Sequence, residues 1–99
     1  MTDPHPARAE QRRIGAAIRA SQLPANARLI MHTAALNAAE SAEAGIPFAI
    51  TLTELAEQTG LTHREVAQRV ATLVRTGWIA RTTDGHWLPT VPATAGRTA

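Results

Sequence analysis

The side chains best suited to acid–base or ligand chemistry in this chain are four histidines and eight carboxylates, set among ten arginines, and cysteine is absent. Without a thiol there is no disulfide framework, no thiolate nucleophile and no cysteine-based zinc site. His5, His32, His63 and His86 fall in four separate segments, none one helical turn from another ligand, so a metal site would need distant parts of the chain to converge. No glycine-rich phosphate loop and no G-x-S-x-G nucleophile elbow is present. These residues predict no catalytic group, no metal and no cofactor. The expected activity is binding, not catalysis.

Charge says what could be bound. All ten basic side chains are arginine, and the formal net charge is only +2. With no lysine, tyrosine or cysteine to titrate between histidine and arginine, that small excess drives the isoelectric point to about 11.0. Residues 1–22 sum to +2, residues 23–60 to −3 and residues 61–99 to +3, so two basic ends flank an acidic middle. Such asymmetry suits an anionic partner on one face, and guanidinium grips phosphate and guanine bidentately. A codon bias that excludes lysine everywhere would give the same composition.

The elements that must position these groups are legible in outline. Ninety-nine residues hold one domain. Residues 1–6 predict a disordered lead and residues 91–99 a disordered tail. Residues 7–22 predict a basic amphipathic helix, with Ile14, Ala17 and Ile18 as its stripe and Arg8, Arg12, Arg13 and Arg19 around it. From Pro24 to a stop at Gly45 the chain is unbroken helix former. Its expected inner stripe is Leu23, Ala27, Ile30, Ala34 and Ala38, widened by Leu29, Leu36 and Met31, with Arg28, His32 and Ala39 opposite. Residues 46–50, with Pro47 near the start, suit an edge strand.

Two capping boxes follow, Thr51 with Glu54 and Thr62 with Glu65, each opening a short helix that ends at a glycine, Gly60 or Gly77. Val66, Val70, Leu73 and Val74 mark the buried face of the second. Asp84 and Gly85 between two alternating segments predict a β-hairpin over residues 78–90, and Pro89 puts its second strand at an edge. The core is expected to rest on Ile30, Met31, Leu36, Ile50, Leu55, Leu61, Val66, Val70, Leu73, Trp78 and Ile79. The fold class is mainly α with a small β-sheet. No apolar run is long enough to span a membrane and no signal-type segment follows the first residue, so a cytoplasmic protein is expected.

Leu55, Ala56, Thr59, Gly60, Leu61 and Thr62, then Val66, Val70 and Leu73, then Gly77, Trp78 and Ile79 carry a pattern that resembles the winged helix-turn-helix superfamily, MarR-type and GntR-type regulators among them. The resemblance covers residues 23–90. It implies a winged helix-turn-helix fold in the order helix, strand, helix, turn, helix, hairpin, preceded by the extra N-terminal helix. It implies sequence-specific binding of double-stranded DNA by a small transcriptional regulator, such as a repressor, or by a plasmid- or phage-type accessory factor. Residues 63–75 would be the recognition helix, its N-terminal end on base edges, and residues 78–90 a wing on flanking backbone. The DNA-binding residues expected are Thr62, His63, Arg64, Gln68, Arg69, Thr72 and Arg75 from the helix, with Arg81, Thr83 and His86 from the wing. Arg64 suits guanine and Gln68 adenine. Trp78 and Trp87 are expected to pack, not to stack on bases.

Two alternatives stand beside this. The same fold also serves as a protein–protein interaction module in larger complexes. The N-terminal stripe has to bury against something, either the long helix of the same chain or a second copy, which would make a homodimer through residues 7–21. Its arginines could instead form an arm that grips phosphates and leaves the chain monomeric.

Overall fold

Pro24 fixes the entry to a 20-residue helix and Gly45, left-handed at φ 72°, ends it. In the computed structural model, which describes residues 6–82 and 87–93, this helix is α2 (Ala25–Ala44). It follows α1 (Pro6–Ala20) and precedes α3 (Leu52–Thr59), α4 (His63–Arg75), β1 (Ile79–Arg81) and β2 (Trp87–Pro89). The strands pair antiparallel with Ile79 opposite Pro89 and Arg81 opposite Trp87. The protein is mainly helical with one small sheet, the class the sequence predicts. Among the described residues no helix is long and apolar enough to cross a membrane.

α2 is the hub. α1 packs along it, α3 and α4 rest on it, and so does β2. Ala27, Ile30 and Ala34 are buried, and so are Met31, Ala35 and Ala39. The expected inner stripe is therefore corrected: Ala39, placed on the outer side, is 3% exposed, whereas Leu36, placed in the core, is 42% exposed. The reason is α1, whose Ile14 and Ile18 are 2% and 0% exposed against the alanine side of α2. Small side chains let two helices approach closely, and alanines on every side of α2 leave no apolar period to read. The N-terminal stripe is thus buried within a single chain. A homodimer through residues 7–21 would have to use some other part of α1.

Two arginines of α1 are tied into the fold. Arg8 donates to both oxygens of Glu43 on α2, at 2.9 and 2.6 Å, and the bond holds its guanidinium even more firmly in the charged form. Arg13 pairs with Glu10 one turn back, and its hydrogen bonds hold the Glu10 carboxyl below the usual carboxylate range, outweighing partial desolvation. The other expected core residues are buried, except Leu61, which is half-buried against the cluster.

Residues 46–50 are irregular chain, not the expected edge strand. Pro47 supplies no N–H for a ladder, yet Phe48 packs on the core and Ile50 is buried, so the segment works as a wall without pairing. The tail also departs from expectation. Val91 packs on the core, and Pro92 lies over Gly77, where an added methyl group would meet its Cβ at 3.4 Å. The Asp84–Gly85 turn lies outside the described residues, as do residues 1–5 and 94–99.

Truncating Ile18 to alanine should lower unfolding stability by about 2–5 kcal/mol, the range for buried aliphatic deletions, whereas Leu36→Ala should cost well under half as much. Urea denaturation of the two variants checks this. The Glu10 pair adds a pH dependence of known sign. A carboxyl lowered by folding stabilises in full above its unfolded value and loses that contribution as pH falls through the folded one. Both side chains are half exposed, so the effect should be small, absent in Glu10→Gln, and erased by high salt in parallel melts across acid pH.

Candidate functional site

Helix α4 is built to show one face. Its N-terminus carries a complete capping box: Thr62 Oγ1 accepts from the Glu65 amide at 3.1 Å, and the Glu65 carboxylate accepts from the Thr62 amide at 3.2 Å. Thr51 and Glu54 do the same for α3. Between them Gly60 sits left-handed at φ 77°, a conformation that costs a side-chain-bearing residue dearly. At the other end, Trp78 N–H reaches Leu73 C=O at 2.9 Å and Gly77 N–H reaches Val74 C=O at 3.3 Å, a Schellman closure with Gly77 at φ 88°. Both ends of the helix are therefore fixed by local chemistry.

With Val66, Val70 and Leu73 buried, Arg64, Gln68, Ala71 and Arg75 come out together on the exposed face, as the helical spacing predicts. His63 is exposed at the N-terminal end. The remaining helix candidates stand elsewhere. Thr62 is exposed, but its hydroxyl oxygen is engaged in the cap. Thr72 is half-buried, and its hydroxyl donates back to Gln68 C=O at 3.3 Å. It borders a depression with Ala17, Ala20 and Thr76, facing the end of α1. Arg69 is half-buried on the same flank, beside the core stripe and away from Arg64. Thr83 and His86 lie outside the described residues.

On the opposite flank the sheet comes close. Arg81 and Trp87, cross-strand neighbours, line a groove of about 340 Å³ with Ala67, Ala71, Val74 and Leu52. The groove joins the α4 face to β1, so Arg81 belongs to the same surface as Arg64 and Arg75. Sequence reasoning reads Trp87 only as a packing residue and gives Leu52 no part in the surface. Nothing in local pattern marks them as groove walls, since that depends on strand register and on how α3 meets α4.

Electrostatically the arginines divide into two sets. Arg8 and Arg13 are ion-paired, and Arg28 donates to the carbonyls of Leu23 (2.8 Å) and Ser21 (3.1 Å). The side chains of Arg12, Arg19, Arg64, Arg69, Arg75 and Arg81 have no ion pair or hydrogen bond to any described residue. Positive charge that satisfies no internal partner is available to an external one. No group of histidines and carboxylates among the described residues could hold a metal ion. Compared with protein-family models, with curated proteins and with solved structures, the chain matches none.

If the Thr62 hydroxyl serves the cap, Thr62→Ala should cost about 1 kcal/mol of stability and Thr62→Ser only a small part of that. Thermal melts of the pair test it, and equal melting points for alanine and parent would remove the cap from the account.

Proposed function

We propose that this chain is a winged helix-turn-helix domain that binds double-stranded DNA sequence-specifically, as a small transcriptional regulator does. In this reading α4 is the recognition helix and lies in the major groove. The β1–β2 hairpin is the wing and rests on flanking backbone. The observation that carries the reading is the single exposed face on which the side chains of Arg64, Gln68 and Arg75 stand without partners among the described residues, with Arg81 across the groove. The order of α2, α3, the Gly60 turn, α4 and the hairpin supports it. Arg64, near the helix N-terminus, is suited to guanine and Gln68 to adenine, while Arg75 and Arg81 are placed for phosphates.

A second reading has its own support. The groove beside Arg81 is walled by apolar side chains, and such a wall suits a protein segment better than a phosphate. A winged-helix adaptor would use that groove.

Binding to a randomised duplex library, followed by titration against salt, separates the two. Arg64→Ala should cost about 1–3 kcal/mol and relax preference at one base pair. Arg75→Ala and Arg81→Ala should each weaken all sequences evenly and flatten the log K against log salt slope by about 0.9. Selection of no sequence, with a salt-insensitive response in parent and variants alike, would favour the adaptor.

A further inference from the structure

Where α1 lies along α2, a second set of basic groups meets over a glycine. Arg8, Gln11, Arg12, Gly15 and Arg19 of α1 and His32 and Ala35 of α2 line a depression of about 230 Å³ that no residue of α3, α4 or the sheet borders. Gly15 is a costly choice in mid-helix, since it weakens α1 relative to alanine. Its backbone forms the floor. A methyl group there would lie 3.4 Å from a guanidinium nitrogen of Arg19 and 3.9 Å from His32 Cε1, in ordinary contact with both, so the space over Gly15 is shared by these two groups.

The charge of the depression is compensated only at Arg8, which pairs with Glu43 and lies near Glu40. The carboxylate of Glu43, near the end of α2, is taken by Nε and Nη2 of Arg8. The side chains of Arg12 and Arg19 have no ion pair or hydrogen bond to any described residue. Gln11 Oε1 accepts from Arg8 at 2.9 Å, which fixes the amide and leaves its N–H donors uncommitted. Two unpaired guanidiniums, the N–H donors of an amide and an imidazole thus border one notch, and like charges gather at such a spot at a cost unless an anion joins them.

We infer that the notch over Gly15 is a binding site for a phosphate group, held by Arg12 and Arg19 with Gln11 and His32 as further donors. The inference is independent of the α4 face. A tetrahedral oxyanion offers several acceptors in different directions, and forked guanidiniums match it bidentately. The group could belong to a free phosphate compound or to the backbone of a nucleic acid, and the experiment has one arm for each.

In the first arm inorganic phosphate is added to the full chain at constant ionic strength, chloride being withdrawn in compensation, and the His32 imidazole signals are followed by NMR. A saturable shift is expected. Arg12→Ala/Arg19→Ala should weaken it roughly tenfold or more, as loss of charge-assisted hydrogen bonds does. Gly15→Ala should weaken it too while leaving the melting temperature level or higher, because alanine is the better helix former. That variant separates the site from the fold. In the second arm duplex DNA replaces phosphate. A backbone phosphate in the notch would make the double variant's salt slope shallower by about one with sequence preference kept. A free phosphate compound would leave DNA binding unchanged and saturate only in the first arm. If phosphate shows no saturable binding and DNA binding is untouched by the double variant, the site does not exist. Saturation undiminished in Arg12→Ala/Arg19→Ala overturns it equally. Should the chain bind no DNA at all, the first arm alone decides.

Discussion

The close seating of α1 on the alanine side of α2 is the contact on which the rest of the molecule depends. It buries Ile14 and Ile18 and brings Ala35 and Ala39 inside, so that α2 is covered from two directions. Alanine contributes little area per residue, and the core relies on a few large side chains (Ile18, Ile30, Met31, Leu55 and Leu73 among them) placed where helices cross. Were α1 to detach, α2 would expose its alanine side and the tie between Arg8 and Glu43 would go with it. The other elements need α2 held straight, because α3, α4 and β2 all take their positions from it.

Much of this could be read from the sequence where chemistry is local. Both capping boxes, the left-handed glycines and the buried stripe of α4 follow from residue types at fixed short spacings, and all are present. The reading failed where packing decides. Leu36 looks like a core residue because it is large, yet it stands on the outer face of α2, and Ala39 looks dispensable because it is small. Residues 46–50 have strand composition but, among the described residues, no neighbouring strand to pair with. Val91 and Pro92 read as tail, and only the position of Gly77 explains why they are held.

The candidate surface shows the same division. Exposure of Arg64, Gln68 and Arg75 follows from helical geometry once Val66 is inward. Thr72 stands one step around the helix from that face, enough to turn it toward the end of α1. The partnering of Arg8 could not be foreseen, unlike that of Arg13 with Glu10 one turn away. Whether a guanidinium is tied up or available depends on which carboxylate lies across the interface, as with Glu43, 35 residues from Arg8 in the chain.

The junction between α4 and β1 has a mechanical meaning. Leu73 and Val74 close the helix onto Gly77 and Trp78, and the Thr90 amide bonds back to Trp78 C=O at 2.9 Å, leaving no slack between helix and sheet. An extra residue inserted there would advance the strand by half its two-residue period, turning Ile79 outward and Ala80 toward the core. The interval from Arg75 to Arg81 is therefore quantised. A lineage could change which side chains occupy that surface by substitution, but it could not tune their separation by adding or removing single residues.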